Sequence, residues 1–229
     1  MNHLKIYIIL LCCIIAPCTQ GGNPFPTISE TAKDGCFPLA SVQKATAIYT
    51  DEQDFKVVGI AADMLADDVE RVTGRRPEHV TIGDWKALSK DVAIVVGTLG
   101  HSRLVEWMVD RLKIDVSGIR GKWESFLIIT TTHPKHRTPL LLVIGSDRRG
   151  TAFGLTSLSE AIGVSPWYWW ADVTPKRRPA LYLEQCSFLQ GEPAVQYRGI
   201  FINDERFGGW ARWAEQTFDR ETGKVGPKT

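Results

Sequence analysis

The chain has 229 residues, of which 44% are hydrophobic and 23% charged, the balance of a folded protein with a real core. Its formal charge is +1, and an N-terminal leader carrying only Lys5 would leave 26 basic against 26 acidic groups. Such neutrality argues against a nucleic-acid partner, which needs a basic footprint.

Residues 1–22 have the layout of an export signal. Lys5 supplies the positive start and the run from Ile6 to Ala16 the apolar core. That run is shorter than the roughly 20 residues of a spanning helix, so no stable membrane span is expected. Cleavage fits near Ala16-Pro17-Cys18 or within 19–22, and the expected location is periplasmic or extracellular. A lipid anchor at Cys18 is the other reading, and the residues before it fit that signal poorly. Three of the five cysteines (Cys12, Cys13, Cys18) lie in this segment. Cys36 and Cys186 either pair, as export permits, or serve as small apolar groups. No Cys/His spacing matches a metal site, and no cofactor is expected.

Residues 23–44 are punctuated by Pro and Gly and read as a leader loop. The β-branched run 45–50 predicts a strand, and 51–54 a turn. A helical period follows over 57–73, with Val57, Ile60, Ala61, Met64, Leu65, Val69 and Val72 on one stripe and Gly74 as C-cap. Asp63, Asp67, Asp68, Glu70 and Arg71 are expected to face away, and the acidic cluster reads as a solvated face rather than a metal site. A buried strand is predicted at 92–97 and an amphipathic helix at 102–112, with Leu104, Val105, Met108, Val109 and Leu112 inward. Two neighbouring strands follow at 126–131 and 140–145. The polar link 133–137 makes them a hairpin, with His133 and His136 as exposed loop residues. A third helix over 150–162 turns Phe153, Leu155, Leu158 and Ile162 inward. The order predicts an α/β sandwich with a mixed sheet over 45–163. Four prolines across 164–194 mark a Trp/Pro-rich connector with an extended piece at 180–183. A new unit opens at 195.

Three stretches carry polar groups where chemistry could sit. Gly145-Ser146-Asp147-Arg148-Arg149-Gly150 joins a strand to a helix N-terminus, a place where free N–H groups can cradle an anion. It lacks the Lys-Ser/Thr of a phosphate loop, and the dinucleotide Gly pattern is absent, which disfavours a nucleotide. Asp147 either caps the helix, or Arg148 and Arg149 meet a carboxylate or sugar. Trp167-Tyr168-Trp169-Trp170 supplies rings for a domain interface or a sugar platform; if extended, no more than two could line one pocket. Tyr197-Arg198-Gly199-Ile200-Phe201-Ile202-Asn203-Asp204-Glu205 reads as an apolar strand ending in three polar groups. That is either a strand entering a turn or a (β/α) barrel strand presenting site residues at its tip.

These stretches, with Leu158-Ser159-Glu160, 162–173 and the helix segment 61–74, resemble the N-terminal part of glycoside hydrolase family 115, the xylan α-1,2-glucuronidases. The resemblance runs from about Tyr49 to Thr229. It implies an exported, exo-acting enzyme that removes (4-O-methyl)glucuronic acid from glucuronoxylan or its oligosaccharides with inversion, and it allows a homodimer of the full-length enzyme. It implies an α/β domain followed by a (β/α)8 barrel, of which 195–229 would supply the first strand and its loop. Asn203 and Asp204 match the strand end that reaches the uronic-acid pocket. Asp204 and the neighbouring Glu205 are the catalytic candidates, with Arg148, Arg149 and Trp169 as further substrate-binding candidates. An inverting glycosidase needs two carboxyl groups about 6.5–9.5 Å apart. Adjacent residues on one strand point to opposite sides, so Asp204 and Glu205 cannot be that pair. These 229 residues are therefore expected to be inactive by themselves. The alternative is a non-catalytic module that holds an acidic glycan.

Overall fold

The apolar runs that stand out in the sequence become the centre of a sheet covered on both faces. The computed structural model describes residues 25–199 and, beyond them, the backbone of two short strands, Phe218–Asp219 and Lys224–Val225. In chain order the first unit holds β1 (Ile28–Ser29), β2 (Phe37–Ala40), β3 (Ile48–Asp51), α1 (Lys56–Thr73), β4 (His79–Ile82), β5 (Ala93–Thr98), α2 (Arg103–Leu112), β6 (Phe126–Thr132), β7 (Pro139–Gly145), α3 (Arg148–Ala161), α4 (Trp167–Ala171), β8 (Leu181–Leu183) and β9 (Ser187–Gln190). The main sheet runs β4-β3-β5-β7-β6-β9. Its first four strands are parallel, and β6 is antiparallel to both β7 and β9. A second, three-stranded sheet runs β1-β8-β2.

Alternation along the strands explains why they read as unbroken apolar runs. Leu141 and Val143 of β7 join one core with Ile94, Val96, Phe126 and Ile128, under α1, α3 and the small sheet. Leu140, Leu142 and Ile144 join the other core with Ala93, Val95 and Leu127, under α2. All five β7 side chains from Leu140 to Ile144 are fully buried, each contributing roughly 1.5–3 kcal/mol of transfer free energy. The result is a mixed-sheet α/β sandwich.

The predicted helices occur within a few residues of their expected bounds, but α1 is rotated. Val57 and Ile60 are exposed, while Val58, Ala62 and Ala66 are buried with Ala61, Leu65, Val69 and Val72. The helix faces both the sheet and α3, so its buried arc centres on small residues that allow close approach rather than on the largest apolar ones. Asp68, expected in solvent, is buried and bonded to Arg71, whose guanidinium lies 4.7 Å above the Tyr168 ring. Gly74 ends α1 at φ 76°, donating its N–H to Glu70 O as a left-handed cap.

The expected leader loop carries β1 and β2, with Phe37, Leu39 and Ala40 buried. The expected connector carries α4, β8 and β9, and β9 completes the six-stranded sheet. The Trp-rich stretch is a short helix that follows Pro166 as N-cap, so the alternation its rings would have if extended does not apply. Cys36 and Cys186 are free thiols. Burial pushes the Cys186 thiol up to about 11. No helix among the described residues is long and apolar enough to cross a membrane. A second unit begins at Pro193, and its two described strands, β10 (Phe218–Asp219) and β11 (Lys224–Val225), pair antiparallel.

Candidate functional site

Ligands of open α/β sheets sit outside the carboxyl ends of the strands, where successive connections leave to opposite faces. Here that place lies between β3 and β5: α1 follows β3 on one face and α2 follows β5 on the other. The protein's own side chains occupy it. Asp54 accepts from Thr98 N at 2.7 Å with one carboxylate oxygen and from Phe55 N at 2.8 Å with the other. The Phe55 ring lies 4.1 Å from the His101 ring. Asp51 accepts from Leu104 N at 3.0 Å and from Gln53 N at 2.9 Å, and Ser102 Oγ accepts from Val105 N at 3.1 Å. The first free N–H groups of α2 are thus capped from two sides.

Burial raises the Asp54 carboxyl above its ordinary range, against the opposing pull of the Phe55 and Thr98 hydrogen bonds and of nearby His101. A carboxyl raised in the folded state contributes stability that is lost as pH climbs through its folded pKa. Asp54→Asn removes that loss but keeps an oxygen acceptor. The stability of the variant relative to the wild type should therefore increase as pH rises from the ordinary carboxylate range toward neutrality. Urea midpoints measured across that range check it, and a difference that stays flat or falls with pH contradicts it.

The Gly145–Gly150 junction resolves in the same way. Asp147 Oδ1 accepts from Arg149 N at 3.0 Å and Gly150 N at 2.7 Å, while Oδ2 accepts from Glu124 N at 2.8 Å. Glu124 is buried with φ 51°, and its carboxylate lies 2.8 Å from Arg149 Nε. The donors that could cradle an anion are engaged by a protein carboxylate. The two glycines serve packing. A Cβ on Gly145 would lie 2.2 Å from Thr151 N, and one on Gly150 would lie 2.3 Å from Ser125 O. Arg148 is exposed, with its guanidinium 5.9 Å from the Phe55 ring centroid. Neither Arg148 nor Arg149 lines the two hollows described next.

One hollow of about 190 Å³ opens at the end of β4, between Ile82, Asp84 and the α2 residues Arg103 and Leu104. A larger one of about 320 Å³ lies between Trp85 and the turn that joins β6 to β7. This second hollow was not anticipated from sequence, although Trp85-Lys86-Ala87-Leu88-Ser89-Lys90 places an aromatic residue beside two cations. His133, expected in solvent, is buried. Its Nδ1 accepts from Lys135 N at 3.1 Å and His136 N at 3.2 Å, which puts the ring proton on Nε2 and makes the ring the core of the turn.

The side chain of Trp169 and the residues Asn203, Asp204 and Glu205 lie outside the described residues. Among the described residues no cluster of His, Cys, Asp and Glu could hold a metal ion.

No family model matches the chain, and neither does any curated protein. Among solved structures it is similar to a family GH115 4-O-methyl-α-glucuronidase with specificity for decorated arabinogalactans. That match has 34% identity over 84% of this chain and a TM-score of 0.64. The chain spans 23% of that enzyme's chain. The N-acetyl-β-hexosaminidase of Streptomyces plicatus matches 72% of this chain and 24% of its own at 13% identity and a TM-score of 0.42. CpGH84D matches 69% of this chain and 22% of its own at 10% identity and 0.40. Scores this low carry no argument.

Proposed function

We propose that the chain is the amino-terminal portion of an exported, inverting α-glucuronidase, and that its α/β unit supports the enzyme without performing the chemistry. The reading rests on one observation above others: the 34% identity to a GH115 glucuronidase extends over 84% of this chain. The state of the strand ends agrees with it. Asp51, Asp54, Asp147 and Glu124 all hold backbone N–H groups or Arg149, whereas hydrolysis needs one carboxyl poised to protonate the leaving oxygen and another facing a water. The catalytic pair then belongs to the barrel, with Asn203 and Asp204 contributing to its uronic-acid pocket.

The substrate is an acidic plant polysaccharide bearing (4-O-methyl)glucuronic acid, glucuronoxylan first. Decorated arabinogalactan is the second substrate to try, since it is that of the similar enzyme. The test incubates the protein encoded by the whole reading frame around this chain with both polysaccharides and measures freed uronic acid. Release from either supports the reading, with inversion checked by following the anomeric proton. Release from neither overturns it.

A further inference from the structure

The 320 Å³ hollow belongs to no part of the chemistry proposed above, and its lining is one-sided in charge. Three lysines, Lys86, Lys90 and Lys135, and two histidines, His133 and His136, surround it, and none of its lining residues is acidic. Lys86 makes one long, exposed pairing with Asp84 at 3.9 Å, while among the described residues no ion pair holds Lys90 or Lys135. Lys135 instead stands 4.6 Å from the centroid of the Trp85 ring. The other lining is apolar, from Trp85 and the buried Leu88.

The elements that form the hollow hold each other in place. Trp85 stacks on Trp107 of α2 at 4.3 Å and 7°, so the tryptophan wall is fixed. The opposite wall is fixed by the buried His133, whose N–H donates to Thr138 O at 2.7 Å. Burial first, then neighbouring His136 and Lys135, push the pKa of the same ring below its ordinary value. The cluster of lysines and histidines sits on a chain whose overall charge is only +1, so it is a local feature and not the footprint of a polyanion binder.

We propose that this hollow is a binding site for a carboxylate-bearing sugar, taking one uronic acid unit of an acidic glycan. The anion follows from the lining: ammonium groups with little compensation gain from a charged acceptor. The sugar ring follows from the pairing of those cations with Trp85 and Leu88, which offer apolar surface to C–H groups. The size sets the limit, since 320 Å³ lies at the lower end of the range of roughly 300–1,000 Å³ for small-molecule sites. The choice of a uronate over other anions rests on the glucuronidase reading. A site here would hold the protein on decorated polysaccharide.

Calorimetric titration of the full 229-residue chain tests this with three ligands: a xylo-oligosaccharide bearing 4-O-methylglucuronic acid, the same oligosaccharide undecorated, and inorganic phosphate. The decorated ligand should bind, with the other two weaker by about tenfold or more. Replacing both Lys90→Ala and Lys135→Ala should weaken the decorated ligand by about tenfold with an unchanged thermal midpoint, because both side chains are exposed. Lys122→Ala, an exposed lysine outside the hollow, should leave the affinity as it was. No binding of the decorated ligand overturns the proposal, as does equal binding of the undecorated one. Phosphate binding as tightly, or an affinity unmoved by the lysine pair, overturns it too. Uronate release is assayed on the longer protein, so an empty titration leaves that reading standing, and absent release leaves the phosphate and lysine arms readable.

Discussion

Asp147→Ala should lower the unfolding free energy by about 1.5–5 kcal/mol, the sum of a lost helix cap at roughly 0.5–2 and a stranded buried donor at roughly 1–3. The carboxylate serves two elements at once. One oxygen caps α3 through Arg149 N and Gly150 N, and the other receives Glu124 N from the residue that leads into β6. Glu124 is buried with a left-handed backbone, so its N–H has no easy route to water. Asp147→Asn keeps one oxygen acceptor and should cost about half as much. Urea denaturation at neutral pH reads both. If the junction were instead an anion cradle, removing Asp147 would leave stability nearly unchanged and open the α3 N-terminus to phosphate.

Gly150→Ala and Gly59→Ala make the same chemical change in two helices and should move stability in opposite directions. An added methyl at Gly150 would lie 2.3 Å from Ser125 O, a backbone oxygen that already accepts from Ser146 N at 2.8 Å. Backbone cannot turn aside as a side chain can, so overpacking of roughly 1–3 kcal/mol or more outweighs the gain of up to about 1 kcal/mol from alanine's helix propensity. The net expectation is a loss of about 2 kcal/mol. At Gly59 the nearest atom to the new methyl is His79 Cε1 at 3.7 Å, an ordinary contact. There the propensity term stands alone and should stabilise by roughly 0.5–1 kcal/mol. Thermal melts of the two variants side by side check the sign of each.

What could be read from sequence was whatever local pattern alone determines. The runs at 92–97 and 140–145 announce strands because each carries apolar residues at successive positions, and they match the observed β5 and β7 to within one residue. Asp147 announces a cap because its side chain reaches only the next few N–H groups. Elements settled by distant partners were illegible. β4 and β9 are sheet edges, where His79, Thr81, Ser187 and Gln190 break the apolar pattern. β1 and β2 look like a loop until β8, far along the chain, pairs with both. His133 looks like a solvent-facing loop residue until its ring is seen accepting two N–H groups of its own turn.

The candidate site divides along the same line. Arg148 and Arg149 were singled out by their place at a helix start, and that place proved to belong to Asp147 and Glu124. The Trp85 hollow escaped notice because its walls come from two segments with β5, α2 and β6 between them. No spacing rule joins such segments; only the fold brings Lys90 and Lys135 to one opening.

The most direct test of the division between a supporting α/β unit and a separate catalytic barrel is an assay of these 229 residues alone on xylo-oligosaccharides carrying 4-O-methylglucuronic acid. The account predicts no free uronic acid above the buffer blank at any pH. Sustained release that scales with the amount of purified chain would place a complete catalytic pair within it and contradict that division.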